Sequence, residues 1–378
     1  PDSVEEISDN AFNECQHLKE ICFKEGSKLR VICNKAFYNT KIDKIYFGKN
    51  VKELHEGWNE GISELKYIEI SKDNPYYIYY DNNFLLKKNV KEDIYDELIF
   101  SRRDIENIII PNFIRHIGSY SFSNCHKINK IDIDPNSSLQ IIDSFSFSYS
   151  SIKSIQLPPN LKKIKSKAFF KCNYLESACF DKNIQIRAFD SYLFSNTIIE
   201  TIEIPKSVMF LGEGLFNGCS QLKTVIFQND IQIQKIPKSA FENSGIENIN
   251  IPDSVEEISD YAFSGCQHLK EICFKEGSKL RVICNKAFYN TKIDKIYFGK
   301  NVKELHEGWN EGISELKYIE ISKDNPYYIY YDNNFLLKKN VKEDIYDELI
   351  FSRRDIENII IPNFIRHIGS YSFSNCHK

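Results

Sequence analysis

Cysteine and histidine stand close together at four places in the sequence, and such pairs could supply zinc ligands. The pairs are Cys15/His17, Cys125/His126, Cys266/His268 and Cys376/His377. A structural zinc site needs four ligands at fixed spacing, whereas each place offers two. We therefore interpret each pair as a packed cysteine beside a solvated turn histidine, and we expect no metal and no other cofactor.

The sequence lacks the signatures of common catalytic sites. G-x-S-x-G, H-E-x-x-H, the P-loop and the dinucleotide fingerprint do not occur in it. Carboxylates are numerous, but they alternate with apolar residues, which is typical of a solvated face. We therefore expect a protein that is not an enzyme.

Protein recognition is the chemistry that two tyrosine-rich segments, 71–104 and 322–355, indicate instead. Their candidate binding residues are Tyr76, Tyr77, Tyr79, Tyr80, Arg102, Arg103, Tyr327, Tyr328, Tyr330 and Tyr331, with Arg353 and Arg354 in the second copy. Tyr and Arg dominate binding hot spots because they join a large contact area to a polar group. The alternative is an inserted β-hairpin whose tyrosines form a satellite core, with about half of them facing inward.

The segments around these residues belong to a short sequence repeat. Equivalent positions in successive repeats are mostly 25 or 22 residues apart. Its aromatic positions are Phe12, Phe37, Trp58, Phe122, Phe147, Phe169, Phe194, Phe216, Phe241, Phe263, Phe288, Trp309 and Phe373. A small residue follows three positions later, with Cys alternating with Thr or Ser. Repeats at this spacing predict a solenoid, in which each coil buries its apolar face against its neighbours.

Each repeat also carries an apolar pattern of the form L-x-x-I-x-F, as in LKEICF (18–23) and IETIEI (199–204). The alternation predicts a short strand buried on one face. We expect equivalent strands to stack into a parallel sheet, with A-F-x-x-C segments forming single helical turns. The predicted fold is a mainly β repeat solenoid with inserted β-hairpins. The predicted core includes Ile21, Phe23, Ile45, Phe47, Ile202 and Ile204.

The outward positions of the predicted sheet form a second candidate binding surface. Its candidate residues are Tyr46, Tyr67, Glu69, Glu203 and Tyr297. The face as a whole has neither a continuous apolar patch nor one sign of charge. Solenoids commonly bind partners on such an extended face, so we expect a protein ligand on the sheet face or on the hairpins.

The segment IPDSVEEISDYAFSGCQHLKEICF (251–274) resembles the repeats of the BspA-like family of leucine-rich-repeat surface antigens. The likeness recurs along nearly the whole chain. The segment DNPYYIYYDNNFLL (73–86) resembles an insertion of the same family, with Asn82-Asn83 where Gly is usual. The resemblance implies a leucine-rich-repeat superhelix and a surface or extracellular protein that adheres to host or matrix proteins.

A long repeat overlies the short one, because residues 1–127 return as residues 252–378 with three differences. We predict one continuous solenoid over 1–378, as part of a longer protein. The near-identity supports an alternative function: a structural filament or intracellular scaffold built from 251-residue units. Such units would associate end to end or side by side.

The composition excludes two classes of partner. The net charge of −4 indicates no basic stripe, so we expect no nucleic acid as a partner. The sequence has no run of 18 apolar residues, so we expect no membrane-spanning segment.

The eleven cysteines bear on the compartment. Six of them occupy the small position of the repeat, where Thr or Ser alternates, and we expect these to pack as buried free thiols. We expect the thiols of Cys22, Cys179 and Cys273 to point outward. Free thiols favour a reducing, cytoplasmic compartment, whereas the family resemblance favours the cell surface.

Overall fold

A computed structural model of the chain describes residues 2–24 and 26–376, with all of their side chains except that of Cys273. The expectations for His377 and for the thiol of Cys273 lie outside this part of the chain. The chain divides into two compact units, Pro1–Ile186 (unit 1) and Arg187–Lys378 (unit 2). Each unit is a mainly β solenoid, which confirms the predicted fold class. The continuity of one solenoid over 1–378 stays a prediction.

Short strands follow one another along both units. The strands of unit 1 are β1 (Glu6–Ile7), β2 (Glu20–Ile21), β3 (Val31–Ile32), β4 (Lys44–Phe47), β5 (Glu53–Leu54), β6 (Tyr67–Ile70), β7 (Tyr77–Tyr80), β8 (Phe84–Asn89), β9 (Ile94–Ser101), β10 (Asn107–Ile110), β11 (His116–Ile117), β12 (Lys130–Ile133), β13 (Ile141–Ile142), β14 (Ser154–Leu157), β15 (Lys163–Ile164) and β16 (Ser177–Phe180). The strands of unit 2 are β17 (Ala188–Phe189), β18 (Thr201–Ile204), β19 (Phe210–Leu211), β20 (Thr224–Phe227), β21 (Lys235–Ile236), β22 (Asn248–Asn250), β23 (Glu257–Ile258), β24 (Glu271–Cys273), β25 (Val282–Ile283), β26 (Lys295–Phe298), β27 (Glu304–Leu305), β28 (Tyr318–Ile321), β29 (Tyr328–Tyr331), β30 (Phe335–Asn340), β31 (Ile345–Ser352) and β32 (His367–Ile368).

Strands from the L-x-x-I-x-F pattern pair in parallel and form what we call the broad sheets. In unit 1 these are β2-β4-β6 and β10-β12-β14-β16, and in unit 2 β18-β20-β22-β24-β26-β28. Ile108 lies beside Ile131, and Ile155 beside Ala178, so inward side chains stack on one another. The predicted core residues are buried, apart from Phe23, which is partly buried at the first coil.

Two-residue strands form a second set of parallel sheets, which we call the narrow sheets. Unit 1 contains β1-β3-β5 and β11-β13-β15, and unit 2 contains β17-β19 and β21-β23-β25-β27. These strands come from segments such as 254–258, whose apolar residue Ile258 is buried. The core of each coil therefore lies between a broad and a narrow strand.

The tyrosine-rich segment of each unit forms three antiparallel strands, β7-β8-β9 and β29-β30-β31. Strand β9 then pairs in parallel with β11, so the insertion joins the narrow sheet. Asp81 and Asn82 have positive φ, and Asn83 N–H donates to Tyr80 C=O at 3.1 Å. This is a type I′ hairpin turn, which Asp and Asn can form without glycine.

The A-F-x-x-C segments are turns, and the prediction of short helical turns is wrong for the described residues, which contain no helix. Two residues in each turn have positive φ, for example Phe145 and Tyr149 at 58° and 59°. Right-handed helix requires negative φ. The turn also donates to the next coil, since Phe147 N–H lies 2.8 Å from Ala168 C=O. Pairing between coils thus replaces pairing within a helix.

The aromatic residues of successive turns stack along the core of each unit. The rings of Phe122 and Phe147 lie 4.9 Å apart in unit 1, and those of Phe241 and Phe263 lie 5.2 Å apart in unit 2. Burying such rings removes a large apolar area from water in each coil, with added stabilisation from the stacked geometry.

Trp58 is buried as predicted, but it does not take the aromatic position of the turn. Gly57 and Gly61 have the positive φ values, which places Asn59 between them at that position. Trp58 therefore lies where other turns have Ala, and its ring packs against Phe47 at 5.7 Å. Trp309 makes the same contact with Phe298 in unit 2, at 5.6 Å.

Candidate functional site

The outward faces of the broad sheets bring the predicted face residues into register. Tyr46 lies beside Glu69, Tyr297 beside Glu320, and Glu203 beside Ile226. The two glutamates Glu69 and Glu203 are exposed, while Tyr46 and Tyr297 are half-buried. Tyr67 is 59% exposed. The face thus presents tyrosine rings and carboxylates side by side.

Ion pairs between neighbouring strands balance the charge of this face. Lys44 lies 3.7 Å from Glu20 and 3.8 Å from Glu69, and Lys295 lies 3.8 Å from Glu320. Such exposed pairs contribute only about 0–1 kcal/mol each. They leave the face close to neutral, so its exposed apolar groups are its distinguishing feature.

The broad sheet of unit 1 is interrupted between β6 and β10, where the tyrosine-rich segment is inserted. Arg102 spans the interruption: its guanidinium binds both carboxylate oxygens of Asp104 at 3.0 Å and lies 6.0 Å from the ring centre of Tyr67. The hydrogen bonds that Arg102 donates to the Asp104 carboxylate raise the pKa of Arg102. Tyr79 O–H donates to Lys66 C=O at 3.3 Å and is half-buried there.

Unit 2 repeats the arginine–aspartate pair and the tyrosine hydrogen bond of this arrangement. Arg353 binds Asp355 at 2.9 and 3.0 Å. Tyr330 O–H donates to Lys317 C=O at 3.4 Å, and burial raises the Tyr330 pKa to about 12. Tyr318, the counterpart of Tyr67, is exposed. Duplication has therefore preserved the contacts and the exposed ring together.

Tyr77 and Tyr328 are core residues, which removes them from the predicted binding surface. Tyr77 is 1% exposed, and its hydroxyl donates to Lys52 C=O and accepts from Leu54 N–H, both at 3.1 Å. Burial raises its pKa. Tyrosine faces inward here because β7 adds to the narrow sheet, where alternate residues enter the core.

Arg103 is also buried, at 2% exposure, and is likewise removed from the predicted surface. Its guanidinium donates to four backbone carbonyls, at 2.8 to 3.3 Å, those of Ile62, Ser101, Tyr120 and Ser121. It also lies 4.5 Å from the ring centre of Phe100. Burial lowers its pKa. Arg354 occupies the equivalent buried position in unit 2.

Tyr76 and Tyr327 are half-buried, and the remaining predicted tyrosines, Tyr80 and Tyr331, are exposed. The ring of Tyr80 meets that of Phe113 edge-on at 5.4 Å. The sequence analysis did not predict Phe113 as a surface residue. Its position two residues after Pro111, where a strand ends, could have indicated that its side chain is exposed.

Ile109 is the second surface residue that sequence reasoning did not select. It occupies an outward position of β10 and is 71% exposed. The alternation of inward and outward residues in the strand pattern already placed Ile109 on the outward face of the predicted sheet. Tyr67 and Ile109 flank the interruption of the broad sheet, so we define the candidate binding face as Tyr67, Arg102 and Ile109.

The three cysteine–histidine pairs within the described residues do not assemble into a larger site. Within residues 2–24 and 26–376, no three metal-ligating side chains lie close enough together to hold an ion. Cys125 is buried, and burial raises its pKa, although Arg103 lies 3.4 Å from its sulfur. Cys15 lies exposed at the first coil rather than packed as expected.

A family model of the BspA type leucine rich repeat region, which itself comprises six copies of the repeat, matches the chain. The matched ranges are 1–91, 92–223, 187–317, 234–342 and 343–378. No curated protein matches it. In the described part of the chain, no helix has the length and apolar character to cross a membrane.

Solved structures of leucine-rich repeat proteins resemble the fold. One from Eubacterium ventriosum is 21% identical, over 77% of this chain and 69% of that one, with a TM-score of 0.56. One from Bacteroides ovatus is 21% identical, over 95% and 84%, with a TM-score of 0.54.

Proposed function

The chain belongs to the BspA-type leucine-rich repeat family, and from this premise we propose that it is a non-enzymatic protein-binding module. The observation that carries the proposal is the candidate binding face, where Tyr67 and Ile109 are exposed on the two strands that border the interruption and Arg102 lies beside Tyr67. Arg102 is held by Asp104, so little side-chain entropy is lost when a partner covers it. Fixed arginine and tyrosine groups suit a binding hot spot.

We further propose that the partner is a host or matrix protein and that the chain is displayed at the cell surface, as an adhesin. The support is the family resemblance. The duplicated face, with Tyr318 and Arg353 in unit 2, supplies a second equivalent contact. Two contacts favour a partner that itself repeats, since linked binding events reinforce each other.

The test compares binding to a panel of purified extracellular-matrix proteins. A triple variant, Tyr67→Ser, Ile109→Ser and Tyr318→Ser, should lose at least about tenfold in affinity for the protein that binds the parent chain. A control, Val90→Ser, Tyr174→Ser and Val341→Ser, removes apolar groups that are also exposed but lie outside the broad strands. Equal affinities of the two variants for the matrix protein would show that the candidate binding face does not bind it.

A structural role through self-association is the second candidate. Residues 1–127 return as residues 252–378 with three differences, and an end-to-end filament would be built from such near-identical units. Sedimentation velocity over a hundredfold range of concentration tests it: a constant monomer excludes this role, and a growing series of oligomers supports it.

A further inference from the structure

One stretch of unit 1 departs from the nearly neutral balance of the chain. Residues 144–175 contain six lysines and no aspartate or glutamate, in a chain whose net charge is −4. The stretch lies between the two duplicated segments and has no second copy. The near-neutral total had indicated no basic stripe, because it averages this region with acidic ones.

The structure places four of these lysines on the outside of a single coil, and we call them the lysine-rich edge: Lys162, Lys163, Lys167 and Lys171. The two that flank the start of β15 are exposed. The other two lie at the positive-φ positions of the following turn. These positions project from the coil because the residues between them, including Phe169, enter the core.

Aromatic rings hold the two turn lysines in place. The ammonium of Lys167 lies 5.2 Å from the ring centre of Phe145, and that of Lys171 lies 5.3 Å from Tyr149. Both also contact the ring of Phe170, at 5.8 and 5.4 Å. The ammonium groups of Lys167 and Lys171 are therefore held on the same ring, that of Phe170. An anion bound between them would reduce their mutual repulsion.

A polar depression of about 300 Å³ adjoins the same coil and is lined by Arg115, Ser138, Gln140, Asn160 and Lys162. Lys162 donates to the Gln140 side chain at 3.1 Å. The depression offers the Lys162 ammonium with several amide and hydroxyl groups, which suit a carboxylate side chain. Arg115, on its other side, already pairs with Glu92 and Asp96.

The carboxylates of unit 1 neutralise little of this charge. Asp143 pairs with Lys165, which lies between the lysines of the edge, and Glu92 pairs with Arg115. In the described part of the chain, Lys163 and Lys171 have no carboxylate within ion-pair distance. The edge therefore keeps a local positive potential.

We propose that the lysine-rich edge docks an acidic segment of a partner protein, a contact separate from the candidate binding face. This inference rests on the proposed function, since it names the chemistry of a protein partner. Nucleic acid fits less well, because bases bind by stacking on open ring faces. Here Tyr120 stacks on Phe145 at 5.0 Å, and lysines cover Phe170.

The test measures fluorescence anisotropy of a labelled peptide of alternating glutamate and glycine, at low salt. The variant Lys162→Gln, Lys163→Gln, Lys167→Gln and Lys171→Gln should weaken binding at least about tenfold. The same four positions changed to Arg should bind as the parent does. The control Lys72→Gln, Lys91→Gln, Lys323→Gln and Lys342→Gln removes equal charge from exposed sites elsewhere and should bind normally.

Equal losses in the two glutamine variants would overturn the proposal, because net charge alone would then explain binding. It would also be overturned if a sulfated polysaccharide, a single-stranded oligonucleotide or an anionic vesicle bound through these lysines while the peptide did not. The triple variant of the candidate binding face should bind the peptide normally. Failure of the proposed function is thereby distinguished from failure of this inference.

Discussion

At the scale of single residues, Arg103 shows how the fold accommodates its insertion. Where β7 and β8 enter the narrow sheet, four backbone carbonyls converge on one guanidinium, and Arg103 donates to all of them. Those of Tyr120 and Ser121 also accept from the backbone N–H groups of Ser123 and Ser101. A buried polar group without a partner costs about 1–3 kcal/mol, so the loss of Arg103 costs most at the Ile62 carbonyl.

We therefore expect Arg103→Ala to lower the free energy of unfolding by about 2–4 kcal/mol, because hydrogen bonds from a charged group and a large buried side chain are both lost. Arg102→Ala, which removes a half-exposed ion pair, should cost no more than about 1 kcal/mol. Urea unfolding followed by circular dichroism measures both. Equal effects of the two substitutions would contradict the structural role of Arg103.

The thiols give a second prediction at this scale. Burial raises the pKa of Cys172 to about 12 and those of Cys219 and Cys266 to about 11, and each S–H donates to a carbonyl at 3.0 Å. Only thiolates react with iodoacetamide. At pH 8, exposed Cys22 and Cys179 should be alkylated in the native chain while these three are not. Peptide mass mapping reports each site, and rapid labelling of Cys219 would disprove its burial.

At the scale of elements, an ion-pair row crosses the narrow sheet of unit 1. Lys87 lies 3.4 Å from Glu97, and the imidazole of His116 lies 3.8 Å from Glu97 and 2.6 Å from Asp143. Lys165 closes the row at Asp143. Burial opposes ionisation of His116, but Asp143 and Glu97 outweigh it and raise the His116 pKa.

This row makes the stability of unit 1 depend on pH. Because the His116 pKa is raised by folding, its contribution is complete below the unfolded value of about 6.5. It is lost as pH rises through the folded pKa. The Asp143 pKa is lowered despite burial, by hydrogen bonds from His116 and Lys165, so its contribution is lost in acid. The row stabilises unit 1 most in weak acid.

We expect His116→Gln to abolish the fall in unfolding midpoint between about pH 6 and pH 8. The matched control is His367→Gln, which changes the identical residue in unit 2, where the side chain is exposed. Thermal unfolding across this pH range measures both. A parent-like pH profile in the His116 variant would show that the row does not couple folding to protonation.

The elements also show what a sequence can and cannot predict. Ile45, Phe122 and Phe147 were predictable because a repeat puts the same residue type at the same place in every coil. Tyr77 and Arg103 were not, because the insertion occurs once in each long repeat and has its own register. Alternation implies that half its tyrosines face inward, but which half depends on where β7 joins the narrow sheet.

At the scale of the whole molecule, the proposed function uses surfaces that several coils build rather than an enclosed pocket. Each coil contributes one or two outward residues, so binding residues come from several coils that lie far apart in sequence. The face around Tyr67 recurs in unit 2, whereas the lysine-rich edge occurs once. Composition averaged over the chain hides that difference, which explains why the edge was not predictable from net charge.

The most direct test of the proposed recognition is hydrogen–deuterium exchange of the chain with and without a matrix protein selected as a binder from the purified panel. We predict slower exchange in β6, β10 and β28, which carry the exposed side chains of Tyr67, Ile109 and Tyr318. The narrow strands of the same coils serve as the internal reference and should be unchanged. Protection confined to the narrow strands, or no protection in any broad strand, would contradict recognition through the candidate binding face.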